Sequence, residues 1–270
     1  MHRQPVGQYQ FTLLDDGSFP FPARMFFANV PEDVWRAELQ TDAQGKIAVG
    51  HNLGLLDDGA RLILLDTGYG ADTHAGRTGH MLEELERSGH GREAVDLVVF
   101  THGHGDHIKG STAQHGSRRE PVFPRARYLL ARADFAWFAG PGRTPEFDEH
   151  VGTLHALGRL DLFDAPCTLA PGVSLLPTPG HSPGHTSVLI ESEGESVLFL
   201  GDVCHHPLHF AHPDWVSCFD TDPAVTPRTR ASLFALALSR AALLVCPHAA
   251  APGLGQLARN SNGYSWQALH

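Results

Sequence analysis

Thr101-His102-Gly103-His104-Gly105-Asp106-His107 is the stretch on which the reading of this 270-residue chain turns. It follows Val95-Asp96-Leu97-Val98-Val99-Phe100, an apolar run that reads as a buried strand. Three imidazoles and one carboxylate fall within six residues. On an extended segment, side chains two apart face the same way, so His102 and His104 can grip one ion together. Asp106 and His107 are adjacent, point away from that pair and can serve a second ion. Gly103 and Gly105 allow the tight turning that this requires. The chain holds 19 histidines, so a His-rich surface loop is the plain alternative. A solvated loop has no need of this spacing directly behind a buried strand. Imidazole with carboxylate suits zinc or another first-row divalent metal.

Outward from this loop, strands and helices alternate. Gly54-Leu55-Leu56 and Arg61-Leu62-Ile63-Leu64-Leu65 flank the turn sequence Asp57-Asp58-Gly59, and the second strand ends in Asp66-Thr67-Gly68. Met81–Arg87 has helical spacing and stops at Gly89. Residues 126–130 read as a strand, with Asp134 at the cap of a following helix. Val173–Pro177 feeds Pro179-Gly180-His181-Ser182-Pro183-Gly184-His185-Thr186. A hairpin over 187–191 and 196–200 delivers Gly201-Asp202. Thr226-Pro227 opens a helix running to about residue 240, and 242–245 is a strand ending near Cys246-Pro247-His248. Near the start, Phe11 to Leu14 reads as a strand entering a turn at Asp15-Asp16-Gly17. Phe19-Pro20-Phe21-Pro22 is not expected inside a sheet, because proline removes ladder donors. Met25-Phe26-Phe27 belongs to the core or to the rim of a site. The tail from Ala249 shows no decisive pattern. The hairpins argue for an α/β chain with mixed sheets. With no linker along the chain, one domain over residues 1–270 is expected, with 1–46 as an N-terminal extension packed on it.

Hydrophobic content of 42% and charged content of 19% are those of a globular protein that can bury a large core. The formal net charge of −10 leaves no basic stripe to meet phosphates, which argues against a nucleic-acid partner. Cys167, Cys204, Cys218 and Cys246 are scattered without a CxxC pair, so reduced thiols are expected rather than a disulfide framework. No stretch reaches the length of a membrane span, and residues 1–10 lack a signal-peptide core. The expectation is a cytoplasmic protein with a small-molecule substrate and no membrane partner.

The stretch His102 to His107 is the HxHxDH signature of the metallo-β-lactamase superfamily. The motifs around His181–His185, at Phe199-Leu200-Gly201-Asp202 and at Cys246-Pro247-His248 resemble the family's later metal motifs, in the family's order, across roughly residues 47–250. The resemblance implies an αβ/βα sandwich of two mixed β-sheets flanked by helices, with metals at one edge. It implies that His102, His104 and His185 hold one metal, that Asp106, His107 and His248 hold the other, and that Asp202 bridges them. Within the Pro-Gly-His-x-x-Gly-His run either His181 or His185 suits a ligand in isolation; the resemblance selects His185 and leaves His181 a structural role. Asp66 resembles a carboxylate that orients a ligating imidazole. Two divalent ions are implied, zinc by default, with manganese, iron or cobalt also accepted by this donor set. A homodimer is expected by family analogy.

Such an ion pair can share a hydroxide that attacks a carbonyl or phosphoryl centre. Asp106 resembles the residue that carries a proton to the leaving group in related lactonases. The complete motif with aspartate at 202 implies a di-metal hydrolase of lactones or aryl esters, with promiscuous phosphotriesterase activity. The segments Gly201 to Pro207, His212 to Trp215 and Phe219 to Pro223 resemble the methyl parathion hydrolase-like and lactonase subgroup. The homoserine lactonases carry tyrosine three positions after the bridging aspartate. His205 stands there in this chain, a departure that bears on acyl-homoserine lactone specificity and not on lactone hydrolysis itself. His205 fits two roles, donor to a developing oxyanion or exposed loop histidine. Trp215 and Phe219 are candidate pocket residues, with Trp137, Phe138 and Phe147 as weaker ones. Asp220 and Asp222 with Arg230 read as a structural network. Two other readings of the fold are an iron-dependent oxidoreductase or dioxygenase and a catalytically silent metal-binding protein.

Overall fold

The structure, a computed structural model, describes residues 1–261 and 263–269. The first sheet is built from β1 (His2–Val6), β2 (Tyr9–Pro22), β3 (Lys46–Asp57), β4 (Leu62–Leu65), β5 (Leu97–Val99), β8 (Arg127–Ala131) and β9 (Leu160–Phe163), in that spatial order. Its first four strands are antiparallel neighbours, and β4, β5, β8 and β9 run parallel. The second sheet takes β10 (Cys167–Ala170), β11 (Val173–Pro177), β12 (Thr186–Ser192), β13 (Glu195–Phe199), β14 (Leu243–Val245), β15 (Leu254–Asn260) and β16 (Gly263–Ala268) in sequence order. Only β13 and β14 pair in parallel there. β6 (Thr112–His115) and β7 (Arg118–Pro121) form a separate hairpin.

Alternation along the strands explains how the layers stack. Phe11, Leu13, Leu56, Ile63, Leu65 and Val99 face Val173, Leu175, Val188, Ile190, Val197 and Phe199 across the space between the sheets. The opposite face of the first sheet, through Leu55, Leu64, Val98 and Leu130, packs on the helices Met81–Arg87 and Arg132–Phe138. The opposite face of the second, through Leu198, Leu200 and Leu244, takes Leu233, Phe234 and Ala237 of the helix Thr226–Arg240. Each fully buried Val, Leu, Ile or Phe among these contributes about 1.5–3 kcal/mol. Two mixed sheets with helices outside are the architecture expected. Among the described residues no helix is long and apolar enough to cross a membrane.

The N-terminal region departs from expectation. Residues 1–46 supply β1 and β2, two strands of the first sheet. β2 does not stop at Asp15-Asp16-Gly17; it bulges between Asp15 and Ser18 and continues, pairing Pro20 with Ala48 and Pro22 with Lys46. The prolines are tolerated because β1 ends opposite Leu13, leaving that part of β2 with β3 as its sole ladder partner. At the other end, the tail forms the hairpin of β15 and β16. Asp134 lies inside the helix Arg132–Phe138, not at its cap.

Candidate metal centre

The site lies where β4, β5, β12, β13 and β14 deliver their C-terminal or N-terminal loops to one edge of the sandwich. His104 precedes a one-turn helix, Gly105–Ile108, which carries Asp106 and His107. The loop is anchored from below. The Thr67 N–H and hydroxyl both donate to the carbonyl of His107, at 2.8 and 2.9 Å. Asp66 sits at φ 61°, a conformation that costs a non-glycine residue energy and persists only when its surroundings hold it. Those surroundings are the Thr101 N–H (2.7 Å), the Thr101 hydroxyl (2.9 Å) and His107 Nδ1 (2.8 Å).

Two nests of donor atoms share Asp202. In the first, His102 Nε2, His104 Nδ1 and His181 Nε2 lie 2.8–3.1 Å from one another. Asp202 Oδ2 is 3.7 Å from His102 Nε2 and 3.4 Å from His181 Nε2. In the second, His107 Nε2 and His248 Nε2 lie 3.2 and 3.1 Å from Asp202 Oδ1, and each is 3.7 Å from Asp106 Oδ2. Ligands at about 2.0–2.1 Å from a tetrahedral ion are themselves about 3.4 Å apart; the edges of the two nests, 2.8–3.7 Å, fall on either side of that value. Protein hydrogen bonding alone leaves them unsatisfied: His107 Nε2 and Asp202 Oδ1 are buried without a partner. Three imidazole nitrogens in one triangle cannot all pair with each other, but all can aim lone pairs at a common centre.

The far side of each ring is fixed by the protein. His102 Nδ1 bonds the Thr101 hydroxyl (3.0 Å), His107 Nδ1 bonds Asp66, His248 Nδ1 bonds the Gly50 carbonyl (2.9 Å) and His181 Nδ1 bonds Asp220 Oδ1 (3.1 Å). Such partners orient ligating imidazoles. Burial pushes His102 well below the ordinary histidine pKa and His104 down to about 3, keeping both rings neutral. Burial works against ionised His107 too, but Asp202, Asp106 and Asp66 outweigh it and hold its pKa well above the ordinary value.

Of the residues named from sequence, His102, His104, Asp106, His107, Asp202 and His248 come together here. His185 does not. Its Nδ1 bonds the Thr178 hydroxyl at 2.8 Å and its Nε2 accepts the Asp202 N–H at 2.9 Å, so both nitrogens are spent inside the protein. Gly201, at φ 59°, has no room for a side chain because its Cβ would meet His185 Nε2 at 2.5 Å. His181 takes the place assigned to His185. His205 is not an exposed loop residue. It is buried, neither ring nitrogen has a hydrogen-bond partner, and Nε2 is 3.4 Å from Asp202 Oδ2.

Sequence reasoning missed His51 on β3. It is buried, its Nε2 is 3.6 Å from Asp106 Oδ2 and its ring stands against His248 and Tyr69. No motif marks it; only the fold brings it here. Arg230 does not ion-pair with Asp220. It holds the carbonyls of Val203, Pro213 and Trp215.

A cavity of about 280 Å³ opens onto both nests. Phe19, Phe21, Phe26 and Phe219 form one wall, with Phe21 touching the other three rings at 5.6–5.9 Å between centroids. Lys109, Thr144 and Glu146 also line the cavity. Phe219 is thus a pocket residue as expected, whereas Trp215 packs against Phe27 and His212. Phe138 and Phe147 are core, with Phe138 edge-on beneath His104.

The chain is similar to several known proteins. N-acyl homoserine lactonase from Bacillus cereus is 30% identical over 118 residues, 43% of this chain and 41% of that protein. Beta-lactamase-like protein 2 homolog from Drosophila melanogaster is 30% identical over 154 residues, 57% of this chain and 46% of that one. The chain therefore matches less than half the length of these relatives. Among solved structures, the hydrolase AbOPH of the beta lactamase superfamily superposes with a TM-score of 0.87 at 24% identity, covering 100% of this chain and 97% of that one. The dizinc quorum-quenching lactonase AidC superposes with a TM-score of 0.86 at 23% identity, with the same coverage. Residues 47–248 match the metallo-beta-lactamase superfamily, and with three-quarters of its length inside that match the chain belongs to this family.

Proposed function

We propose that this protein is a di-metal hydrolase of lactones or aryl esters, with phosphotriesters as accidental substrates. The observation that carries the reading is Asp202, which presents Oδ2 to one nest of imidazoles and Oδ1 to another. His102, His104 and His181 would hold one ion, Asp106, His107 and His248 the other, with Asp202 between. When bound, a pair of divalent ions supplies Lewis acidity toward a carbonyl or phosphoryl oxygen and lowers the pKa of water to about 7. The family's lactonases and the dizinc neighbour support both the reaction class and zinc as the first metal to try.

The chain's own residues supply the rest. The phenylalanine wall receives the apolar part of the substrate and excludes water from it. His205, facing the cavity with an unpaired N–H, donates to the oxygen on which negative charge develops. Asp106 is held ionised: burial opposes the charge, but His107, His51 and His248 outweigh it and keep its pKa far below the usual carboxylate range. Its Oδ2 can take up a proton and pass it to the leaving oxygen.

The test is cleavage of an aryl ester, an aromatic lactone and a phosphotriester by zinc-loaded protein, with and without chelator, with bound metal quantified. Chelator-sensitive turnover of the ester or lactone is expected. Turnover that persists in metal-free protein would sink the proposal.

A further inference from the structure

Asp134 is fully buried within the helix Arg132–Phe138, and each of its carboxylate oxygens serves a different loop. Oδ2 accepts the N–H of Gly103 at 2.8 Å, and Oδ1 accepts the N–H of Gly184 at 3.0 Å. Gly103 stands between His102 and His104. Gly184 closes the turn that His181 opens. Contact is close enough that a Cβ on Gly184 would lie 2.2 Å from the Asp134 nitrogen. Among the described residues no lysine or arginine pairs with Asp134. Burial raises its carboxyl to about 6 despite these donors. A carboxylate buried without a counter-cation is expensive to keep, and its two acceptor atoms go to the two loops that carry the first nest.

A second carboxylate reaches the same nest from the other side. Asp220 Oδ1 takes His181 Nδ1 at 3.1 Å, and its Oδ2 accepts the Ser217 N–H at 3.0 Å. The second nest depends on different supports, Asp66 behind His107 and the Gly50 carbonyl behind His248. Asp134 itself does not line the cavity.

We propose that Asp134 is a positioning residue for the His102–His104–His181 subsite alone, setting the spacing between its two loops while Asp220 aims the His181 ring. The inference rests on the two-ion reading above. Its consequence is that the subsites fail separately: losing Asp134 loosens one metal equivalent and spares the other.

The experiment titrates zinc into metal-free wild type, Asp134→Asn, Asp220→Asn and Asp66→Asn, by calorimetry with elemental analysis. Cobalt-loaded samples are compared by visible absorption. Asparagine keeps the volume of Asp134 but turns an NH₂ toward one of the two N–H donors. Wild type should take two equivalents. Asp134→Asn and Asp220→Asn should hold one at wild-type affinity and the other about 10- to 100-fold more weakly. Their residual cobalt spectra should match each other and differ from that of Asp66→Asn. Two equivalents at wild-type affinity in folded Asp134→Asn, or equal weakening of both, would overturn the proposal. Wild type that fails to take two equivalents would instead remove the two-ion reading. Should Asp134→Asn not fold, wild type alone suffices, because coupling is reciprocal. Exchange of the Gly103 and Gly184 amide protons should slow together with one zinc equivalent and not with the other, and indifference to both would overturn the proposal.

Discussion

His185 Nε2 and the backbone N–H of Asp202 are joined by a hydrogen bond of 2.9 Å. The ring thus sets the loop that carries Asp202, the carboxylate shared by the two nests, while His181 faces the first of them. His181→Ala should bind one zinc fewer than wild type with little change in fold. His185→Ala should retain two equivalents yet lose about 2–4 kcal/mol of stability, because two buried hydrogen-bonding groups lose their partner. Elemental analysis beside urea unfolding separates the two, and the reverse pattern would restore His185 as the ligand.

Asp106 Oδ2 stands 3.6–3.7 Å from three imidazole nitrogens and opens to the cavity. Asp106→Asn, assayed at zinc concentrations that keep both subsites filled, should lower kcat about 10²- to 10⁴-fold. A variant with full occupancy and unchanged kcat would remove Asp106 from proton transfer.

His205 has both ring nitrogens buried and unpaired. His205→Phe keeps a planar aromatic ring and removes the donor. It should cost about 10²- to 10³-fold in kcat while leaving zinc stoichiometry at two. An equal fall in metal content would recast His205 as a ligand.

Phe21 links the three other rings of the cavity wall. Phe21→Ala should raise KM for aryl substrates by the worth of an aromatic contact, about 0.5–1.5 kcal/mol, or roughly 2- to 12-fold. Its kcat should hardly move. Steady-state kinetics on matched aryl and alkyl esters would show the loss on the aryl ester only.

Asp16 lies at the bulge of β2 and clips both ends of the loop that brings Tyr69 to the cavity, accepting the N–H of Tyr69 (2.9 Å) and of Met81 (2.8 Å). Burial pushes its carboxyl up to about 6 against the pull of these donors. A carboxyl raised on folding binds more protons in the native state between its unfolded pKa near 4 and 6, so its contribution to stability falls as pH rises through that window. The unfolding free energy of wild type minus that of Asp16→Asn should therefore drop from pH 4 to pH 7, by at most about 3 kcal/mol. Urea titrations of chelator-treated proteins measure it, and a difference that rises with pH would contradict the assignment.

The readable parts of the sequence are those where one local segment carries the whole signal. The donor side chains of His102, His104, Asp106 and His107 fall within six residues behind a buried strand, and the strands from Val173 to Val245 have apolar runs of sufficient length. His181 and His185 defeat local reading because both lie in one turn motif, and only the direction of each ring decides. His51 has no neighbouring ligand in sequence, and β3 alone brings it beside Asp106. Asp134 follows a strand and so resembles a cap, while its acceptors serve loops 31 and 50 residues away. Pro20 and Pro22 discourage a strand reading that becomes acceptable only once β1 is known to end before them.

The division of this chain between its opening residues and the rest bears on how the cavity can vary. Every donor of the two nests lies at or after His102, whereas Phe19, Phe21 and Phe26 come from the first 46 residues, ahead of the segment shared with the family. Three of the four rings of the cavity wall thus lie outside the stretch that supplies the nests, and Phe219 alone comes from within it. Changes in the opening 46 residues can therefore reshape most of that wall without replacing a donor of either nest.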